Sequence, residues 1–333
     1  MKKILVFDLI VSLVWFAVFP KYINPLTIEK IAEKMYVIKG ADSNSTVLVT
    51  DNSVIVVDFG NLPSIGTHMI NSIKTVTKKP ITHVILTHFH DDHTSGLSSL
   101  PANTIIIGHE QIKHAFDTIV IPRWKTTVEK TFPDYMAKKK AALKELKKQN
   151  SPDLEKAEKE YAEDLAYVED YNNIKFIKPT IEYSKSISLI IDGEIIEIKH
   201  LGRAHTFTDS IVYFPRQKVL CTGDVVFNEA FPYIDSDTDV TGWITSLKEM
   251  NTTTDCTIVV PGHGPVGGKE IIEKQLHLLT DLMVEVKTAF DQGKTLDETK
   301  KVVAMTSYSS LQWFSGLGRA VTMIYDELNG DKK

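Results

Sequence analysis

The chain has 333 residues, 43% of them hydrophobic and 24% charged, enough to bury one large core with an insertion or two ordinary cores. A formal net charge of -5 gives no global attraction to phosphate backbones, so nucleic acid is not an expected partner and a small molecule is. Two cysteines, Cys221 and Cys256, exclude a disulfide framework, and no Cys-x-x-Cys pair offers a structural zinc or redox site.

At the N-terminus Lys2 and Lys3 precede an apolar stretch from Ile4 to Phe19, the order of a secretory signal. Asp8 interrupts it, and the unbroken run from Leu9 to Phe19 is too short to span a bilayer as a helix. Residues 1–20 are expected to be an export signal or an apolar anchor that tethers the protein to a membrane, which favours a periplasmic or extracellular location. The competing reading is an apolar arm of the mature protein.

From 30 to 333 the chain reads as a single domain. Short β-branched runs at Met35 to Ile38, Thr46 to Val49 and Ser53 to Val57 predict a strand meander, with turns at Gly40 to Ser45 and at Asp51-Asn52. Ile65 to Val76 is helical in pattern, Ile81 to Leu86 reads as a buried strand, and Ile105 to Ile107 as another. From Thr126 to Asn172 the composition turns to Lys, Glu and Ala, which predicts an inserted, solvated helical hairpin. Leu154, Ala157, Tyr161, Leu165 and Val168 would form one face of its second helix, with Ser151 as N-cap and Pro152 in the first turn.

Strand patterns return at Ser186 to Ile191, Glu194 to Ile198, Ser210 to Phe214 and Lys218 to Cys221, the first two joined by the turn pair Asp192-Gly193. Thr238 to Met250 is a predicted helix with Trp243, Ile244, Leu247 and Met250 on one face, and Thr257 to Val260 a buried strand. C-terminal helices occupy 267–330: Glu270 to Phe290 closed by Gly293, then a helix opened by a capping box at Thr295 and Glu298.

The densest chemistry in the chain directly follows the predicted strand Ile81 to Leu86. Thr87-His88-Phe89-His90-Asp91-Asp92-His93 packs three histidines and two carboxylates into seven residues directly after a buried strand. On an extended backbone His88 and His90 project to the same side, and Asp92 and His93 follow from the next element. So many easily desolvated polar groups together call for a cation to offset their cost. Imidazole and carboxylate without thiolate suit zinc, and leave iron or manganese open. His205, Asp224 and His263 each follow a strand or open a loop flanked by glycine, where a side chain can reach inward; taken singly, each is ordinarily a turn or capping residue.

The string His88-x-His90-x-Asp92-His93, followed in order by Gly-x-x-His205-Thr, Thr-Gly-Asp224 and Pro-Gly-His263-Gly, resembles the metallo-β-lactamase superfamily from about Lys34 to about Gly264. The resemblance implies an α/β fold, a four-layer αβ/βα sandwich with two sheets face to face, helices outside and metals at the open edge. It implies that His88, His90 and His205 hold a first metal, that Asp92, His93 and His263 hold a second, and that Asp224 bridges them. Asp58, in Val57-Asp58-Phe59-Gly60, resembles the family's buried aspartate that supports the metal loop without ligating.

The implied activity is hydrolysis of an ester, thioester, lactone or lactam by a hydroxide held between two Zn2+ ions, with Asp92 orienting that hydroxide and shuttling its proton. Where some zinc β-lactamases carry a cysteine ligand this chain has Asp224, and where they carry a lysine three residues later it has Phe227. The ligand set is closer to the glyoxalase II branch. Alternatives are a β-lactamase, a mononuclear iron oxygenase of the persulfide dioxygenase kind, and a non-catalytic binding protein on the same fold.

Arg203, two residues before His205, either anchors an anionic substrate or braces its own loop. Trp243, Trp313 and Phe314 are candidates for a pocket wall or for core. His68, His83, His109, His114, His200 and His277 have no spacing partner and read as surface or supporting residues.

Overall fold

The computed structural model describes residues 26–330; the expected signal or anchor at 1–20 lies outside them. Among the described residues no helix is long and apolar enough to cross a membrane.

The first half is β1 (Thr27–Ala32), β2 (Met35–Ala41), β3 (Ser43–Val49) and β4 (Val54–Val57), then helix α1 (Pro63–Val76), β5 (Ile81–Ile85), the single turn α2 (Asp91–Thr94) and β6 (Ile105–His109). A long helical segment follows: α3 (Ile112–Ala115), α4 (Ile121–Thr126) and α5 (Phe132–Lys148), joined without a break by π turns at Phe116–Val120 and Thr127–Thr131. Each π turn lies just before a proline, Pro122 or Pro133, whose missing N–H and ring leave no room for the ordinary helical bond. Helix α6 (Leu154–Asn172) returns antiparallel to α5, and β7 (Ile181–Tyr183) closes the first sheet.

The second half is β8 (Ser186–Ile191), β9 (Glu194–His200), β10 (Ser210–Phe214), β11 (Val219–Phe227), helix α7 (Val240–Thr253), β12 (Ile258–His263) and helices α8 (Glu270–Asp291), α9 (Leu296–Val302) and α10 (Leu317–Asn329). The strands form a seven-stranded sheet in the order β1-β2-β3-β4-β5-β6-β7 and a five-stranded sheet in the order β12-β11-β10-β9-β8.

Three cores define the layers. Between the sheets, Val37, Leu48, Ile55 and Ile85 of the first meet Ile196, Val212, Phe214 and Val260 of the second. Outside the first sheet, Val56 and Val84 pack on Met69 and Ile73 of α1. Outside the second, Leu220 and Val259 pack on Trp243 of α7 and Leu279 of α8. Strands buried on both faces therefore read as continuous apolar runs. β9 shows the opposite pattern, alternating buried and exposed residues. This is the expected sandwich of two sheets with helices outside.

A polar tie joins the two sheets at one end. Asp192 and Gly193, both at positive φ (50° and 80°), make the tight β8–β9 turn. The Asp192 carboxylate accepts from Thr50 Oγ1 (2.6 Å), Ser53 Oγ (2.9 Å) and Asn52 Nδ2 (3.1 Å) in the β3–β4 turn.

The structure departs from the sequence-based expectations at several places. β1 and β7 were not predicted: β1 is half polar and lies at the sheet edge, and β7 has three residues, too short for a periodicity signal. The helical segment after β6 begins at Ile112, well before the composition shift at Thr126. Ser151 and Pro152 lie in the turn ahead of α6, whose N-cap is Asp153. Leu165 is exposed and Asp164 is buried in its place on the inward face, taking Tyr135 Oη at 3.1 Å and Lys139 Nζ at 3.1 Å. β11 runs on past Cys221 to Phe227, because a register shift at Gly223 (φ 50°) lets the strand continue beside β12.

Candidate metal centre

All the histidines and carboxylates singled out by motif converge at one edge of the sandwich. The loop after β5 delivers His88 and His90, α2 delivers Asp92 and His93, the loop after β9 delivers His205, β11 delivers Asp224 and the end of β12 delivers His263. Asp224 thus lies within a strand rather than at a strand end. His88, His90, His205 and Asp224 each bring one ligand atom to within 4.8 Å of the others, and Asp92, His93, Asp224 and His263 do the same. Asp224 is common to both groups. Its Oδ2 lies 3.4 Å from His205 Nε2 and 3.3 Å from His263 Nε2, and its Oδ1 lies 3.1 Å from His93 Nε2. Asp92 Oδ2 is 3.1 Å from His263 Nε2 and 3.2 Å from His93 Nε2.

The rings are fixed from behind. His93 Nδ1 pairs with Asp58 Oδ2 at 2.8 Å, and Asp58 also accepts from Thr87 N (2.9 Å) and Thr87 Oγ1 (2.8 Å). Thr87 Oγ1 in turn lies 3.0 Å from His88 Nδ1. His205 Nδ1 donates to the Tyr233 carbonyl at 3.0 Å, and His263 Nδ1 to the Asp42 carbonyl at 3.1 Å. Such partners set the tautomer that leaves the opposite nitrogen free to coordinate. His90 is arranged differently: Nδ1 faces His205 Nε2 at 3.0 Å, and the ring is grouped within 4.8 Å with the carboxylates of Asp235 and Asp237.

This donor set fits divalent cations. His88 Nε2 and His90 Nε2 are buried without a hydrogen-bond partner, and a buried polar atom left unmatched is costly. Burial, reinforced by neighbouring imidazoles, holds His88 well below the ordinary histidine value and His90 at about 3, so both are neutral ligands at neutral pH. Burial also works against the charged form of His263, but the carboxylates of Asp224 and Asp92 outweigh it and push the ring up to about 10. His93 is raised in the same way, against its burial, by Asp92, Asp224 and Asp58. Burial would raise Asp224 and Asp92, but His263 and His93 hold both carboxyls well below the usual range. Protons on these two rings stand where cations would.

Glycines clear the space. A Cβ on Gly262 would lie 1.9 Å from Asp224 Oδ1, and one on Gly264 (φ 90°) 1.8 Å from the Asn228 carbonyl.

The two groups open onto a cavity of about 470 Å³ whose lining includes Asp42, Asp92, Phe227, Tyr233, Trp313, Arg123 and Arg319. Phe227 stacks flat on His263, with centroids 5.2 Å apart and 8° between planes. Trp313 meets the same ring edge-on at 5.0 Å; it is 45% exposed and at φ 61°. Trp243 is buried behind His205, its Nε1–H donating to the Val225 carbonyl at 2.8 Å, and Phe314 packs on the second-sheet core. Cys221 points between the sheets toward Thr46 Oγ1 at 3.1 Å.

Arg203 does not line the cavity. Its Nε donates to the Asp237 carbonyl at 2.9 Å and its Nη2 to the Ser236 carbonyl at 3.3 Å, so of the two readings it takes the loop brace. Asp42, Tyr233, Arg123 and Arg319 escaped the sequence reading. The one available signal was Arg123, a lone arginine in a lysine-rich helical stretch.

The family model of the metallo-beta-lactamase superfamily matches residues 38–263. A metallo-beta-lactamase type 2 from Bacillus cereus is 24% identical over 71% of this chain and 73% of its own. A linear primary-alkylsulfatase from a Pseudomonas species is 22% identical over 76% of this chain, which covers 48% of that longer protein. Among solved structures, a metallo-beta-lactamase from Pontibacter korlensis covers 77% of this chain and 99% of its own at TM-score 0.54 and 19% identity. A sec-alkylsulfatase from Pseudomonas covers 91% of this chain and 50% of its own at TM-score 0.67 and 16% identity. Fold, matched model and histidine-aspartate groups lead to one conclusion: the chain belongs to the metallo-beta-lactamase superfamily and is, at that level, a metal-dependent hydrolase.

Proposed function

We propose that this protein is a binuclear zinc hydrolase of small molecules, cleaving an ester, thioester, lactone or lactam. The observation that carries the reading is Asp224, whose carboxylate belongs to both donor groups at once and is therefore built to join two cations. His88, His90 and His205 would hold one, and Asp92, His93 and His263 the other. A pair of divalent cations supplies a hydroxide nucleophile near neutral pH and polarises the bond under attack.

The chain's own residues do the rest. Asp92 is the most open member of the two groups, its side chain 24% exposed, and Ser43 Oγ holds its carbonyl at 2.6 Å. Its carboxylate orients the attacking water at the cavity floor, takes the proton and returns it to the leaving group. Phe227 and Trp313 exclude bulk water from one side of His263. Phe227 stands where a lysine would meet a lactam carboxylate, so lactams are the least favoured of the four substrates.

Metal analysis of protein purified without added zinc, with a chromogenic panel of thioester, lactone, phosphodiester, sulfate ester and cephalosporin, tests the reading. The expected result is about two equivalents of zinc per chain, and a loss of about 10²- to 10⁴-fold in rate for Asp92→Asn with metal retained. One equivalent of iron with no hydrolysis would overturn it in favour of an oxygenase.

A further inference from the structure

We propose that the helical hairpin α5–α6 is a docking face for a second copy of this chain: the basic flank of α5 lies against the acidic flank of its partner's α6, and the two-fold repeats the contact in reverse. The association is independent of the reaction catalysed.

The hairpin stands apart from the body of the protein. No residue from 122 to 175 belongs to any of the three cores. Its base is fastened by Trp124 Nε1, which donates to the Tyr171 carbonyl at 3.0 Å, and by the Asp170 carboxylate, which accepts from Ser64 N at 3.2 Å. Beyond the base the two helices run out as a pair about 25 Å long. Met136, Leu143 and Leu146 of α5 and Leu154, Ala157 and Tyr161 of α6 recur at the steps of a two-stranded coil and share its seam. Lys139 and Asp164, 3.1 Å apart, cross the same seam. All six apolar residues are only half-buried, so two helices leave apolar surface that four would cover.

Charge is sorted between the helices. α5 carries six lysines against two acids, and α6 seven acids against two lysines. Helical spacing sets Lys140, Lys144 and Lys147 along one flank of α5, and Glu155, Glu158 and Glu169 along one flank of α6 with Leu165 among them. Because the helices are antiparallel, both flanks turn to the same face of the hairpin, a basic strip beside an acidic one. The six charged groups are exposed, and Leu165 is 46% exposed. The hairpin's ion pairs lie elsewhere: Lys139 with Asp164 in the seam, and Lys148 with Glu145, Lys156 with Glu160 and Lys159 with Glu163 within single helices. None of the six flank charges has an ion pair among the described residues.

Such a face is complementary to itself. Rotation by a half-turn about an axis parallel to the hairpin sets each basic strip on an acidic one. A half-turn about an axis across the hairpin would instead set lysine on lysine and glutamate on glutamate, which repel. The charge pattern thus selects a second copy as occupant and the first orientation, which also brings the Leu165 side chains of the two copies to the same level beside the axis. Two helices about 25 Å long and about 10 Å across offer about 500 Å² of face per copy, at the lower limit of specific interfaces. Exposed ion pairs are individually weak and screened by salt. The dimer is therefore reversible, with a dissociation constant of about 1–100 μM, and weakens as salt rises.

The test is sedimentation velocity of the zinc-loaded full chain at about 1–100 μM. The expected result is a monomer–dimer equilibrium whose dissociation constant rises at least about tenfold between about 50 mM and about 500 mM salt. A triple variant of α5, Lys140→Glu with Lys144→Glu and Lys147→Glu, should be monomeric. So should a triple variant of α6, Glu155→Lys with Glu158→Lys and Glu169→Lys. Mixed in equal amounts, the two should form a heterodimer about as tight as the wild-type pair, which also shows that both kept their fold; circular dichroism and zinc content at the wild-type values check this independently. A wild type that stays monomeric up to about 100 μM overturns the proposal and leaves the face to a different protein. A dimer that either triple variant retains, as association through the apolar segment at 1–20 would give, overturns it too, and so does a mixture of folded variants that stays monomeric.

Discussion

The carboxylate of Asp58 stands 2.8 Å behind Nδ1 of His93, on the face of the ring turned away from Asp92 and Asp224. Asp58 is buried, adopts a left-handed backbone at φ 58°, and gathers Thr87 N and Oγ1 as well. One side chain thus fixes the orientation of His93 directly and that of His88 through Thr87. Removing its negative charge frees the His93 tautomer and weakens the ring as a donor. Asp58→Asn should lower zinc affinity by about 10- to 100-fold, measured by competition with a chelator, with the circular dichroism spectrum retained. An unchanged affinity would show that the carboxylate serves only the backbone of the loop.

The raised rings of His93 and His263 make metal loading pH-dependent. In the metal-free protein His263 titrates at about 10 instead of 6.5, so it carries a proton at neutral pH that a cation must displace. Zinc affinity should therefore rise with pH through this window, with protons released on binding. For the metal-free protein the sign is opposite. A histidine raised in the folded state stabilises it fully below about 6.5, and that contribution is lost as pH rises through about 10. Thermal melts across this range should show the chelated protein losing stability while the loaded protein does not. Calorimetry in buffers of different ionisation enthalpy counts the protons, and a count of zero would contradict the raised values.

How much of this was legible in the sequence depends on whether a feature has a local signature. The strand and helix order was readable, because buried strands leave apolar runs and α8 and α9 carry caps and periodicity. His88, His90, Asp92, His93, His205, Asp224 and His263 were readable as positions because motif and order coincide. What brings them together was not readable, since the groups behind His205 and His263 are the backbone carbonyls of Tyr233 and Asp42, which any residue type offers. Arg319 reaches the cavity from a helix whose sequence gives no sign of where it packs. On α6 the period gave the right stripe at Leu154, Ala157 and Tyr161. It failed at Leu165, because Asp164, paired with the half-buried Lys139, took the inward place.

Trp243 links the outer helix layer to the metal edge. It is fully buried, its ring lies 5.5 Å from His205, and its Nε1–H satisfies the Val225 carbonyl next to Asp224. Trp243→Phe keeps an aromatic ring but strands that carbonyl in the core, which costs about 1–3 kcal/mol. Urea unfolding of the zinc-loaded protein should show that loss of stability. A change under half that size would mean that water reaches Val225.

Gly262 offers the sharpest separation between folding and metal binding. An added Cβ would sit 1.9 Å from Asp224 Oδ1 and 2.7 Å from the Gly223 carbonyl carbon, so either the carboxylate moves or β11 and β12 part. Because Asp224 belongs to both donor groups, its displacement should abolish both metal sites together rather than one. Gly262→Ala is expected to fold with reduced stability and to bind less than about one zinc where the wild type binds about two. Gly318, in the first turn of α10, meets nothing within 4 Å of an added Cβ, so Gly318→Ala should raise stability by up to about 1 kcal/mol with full zinc content. Were Gly262→Ala to lose one zinc and keep the other, Asp224 would be a ligand of a single site, and the case for a joined pair of cations would fail.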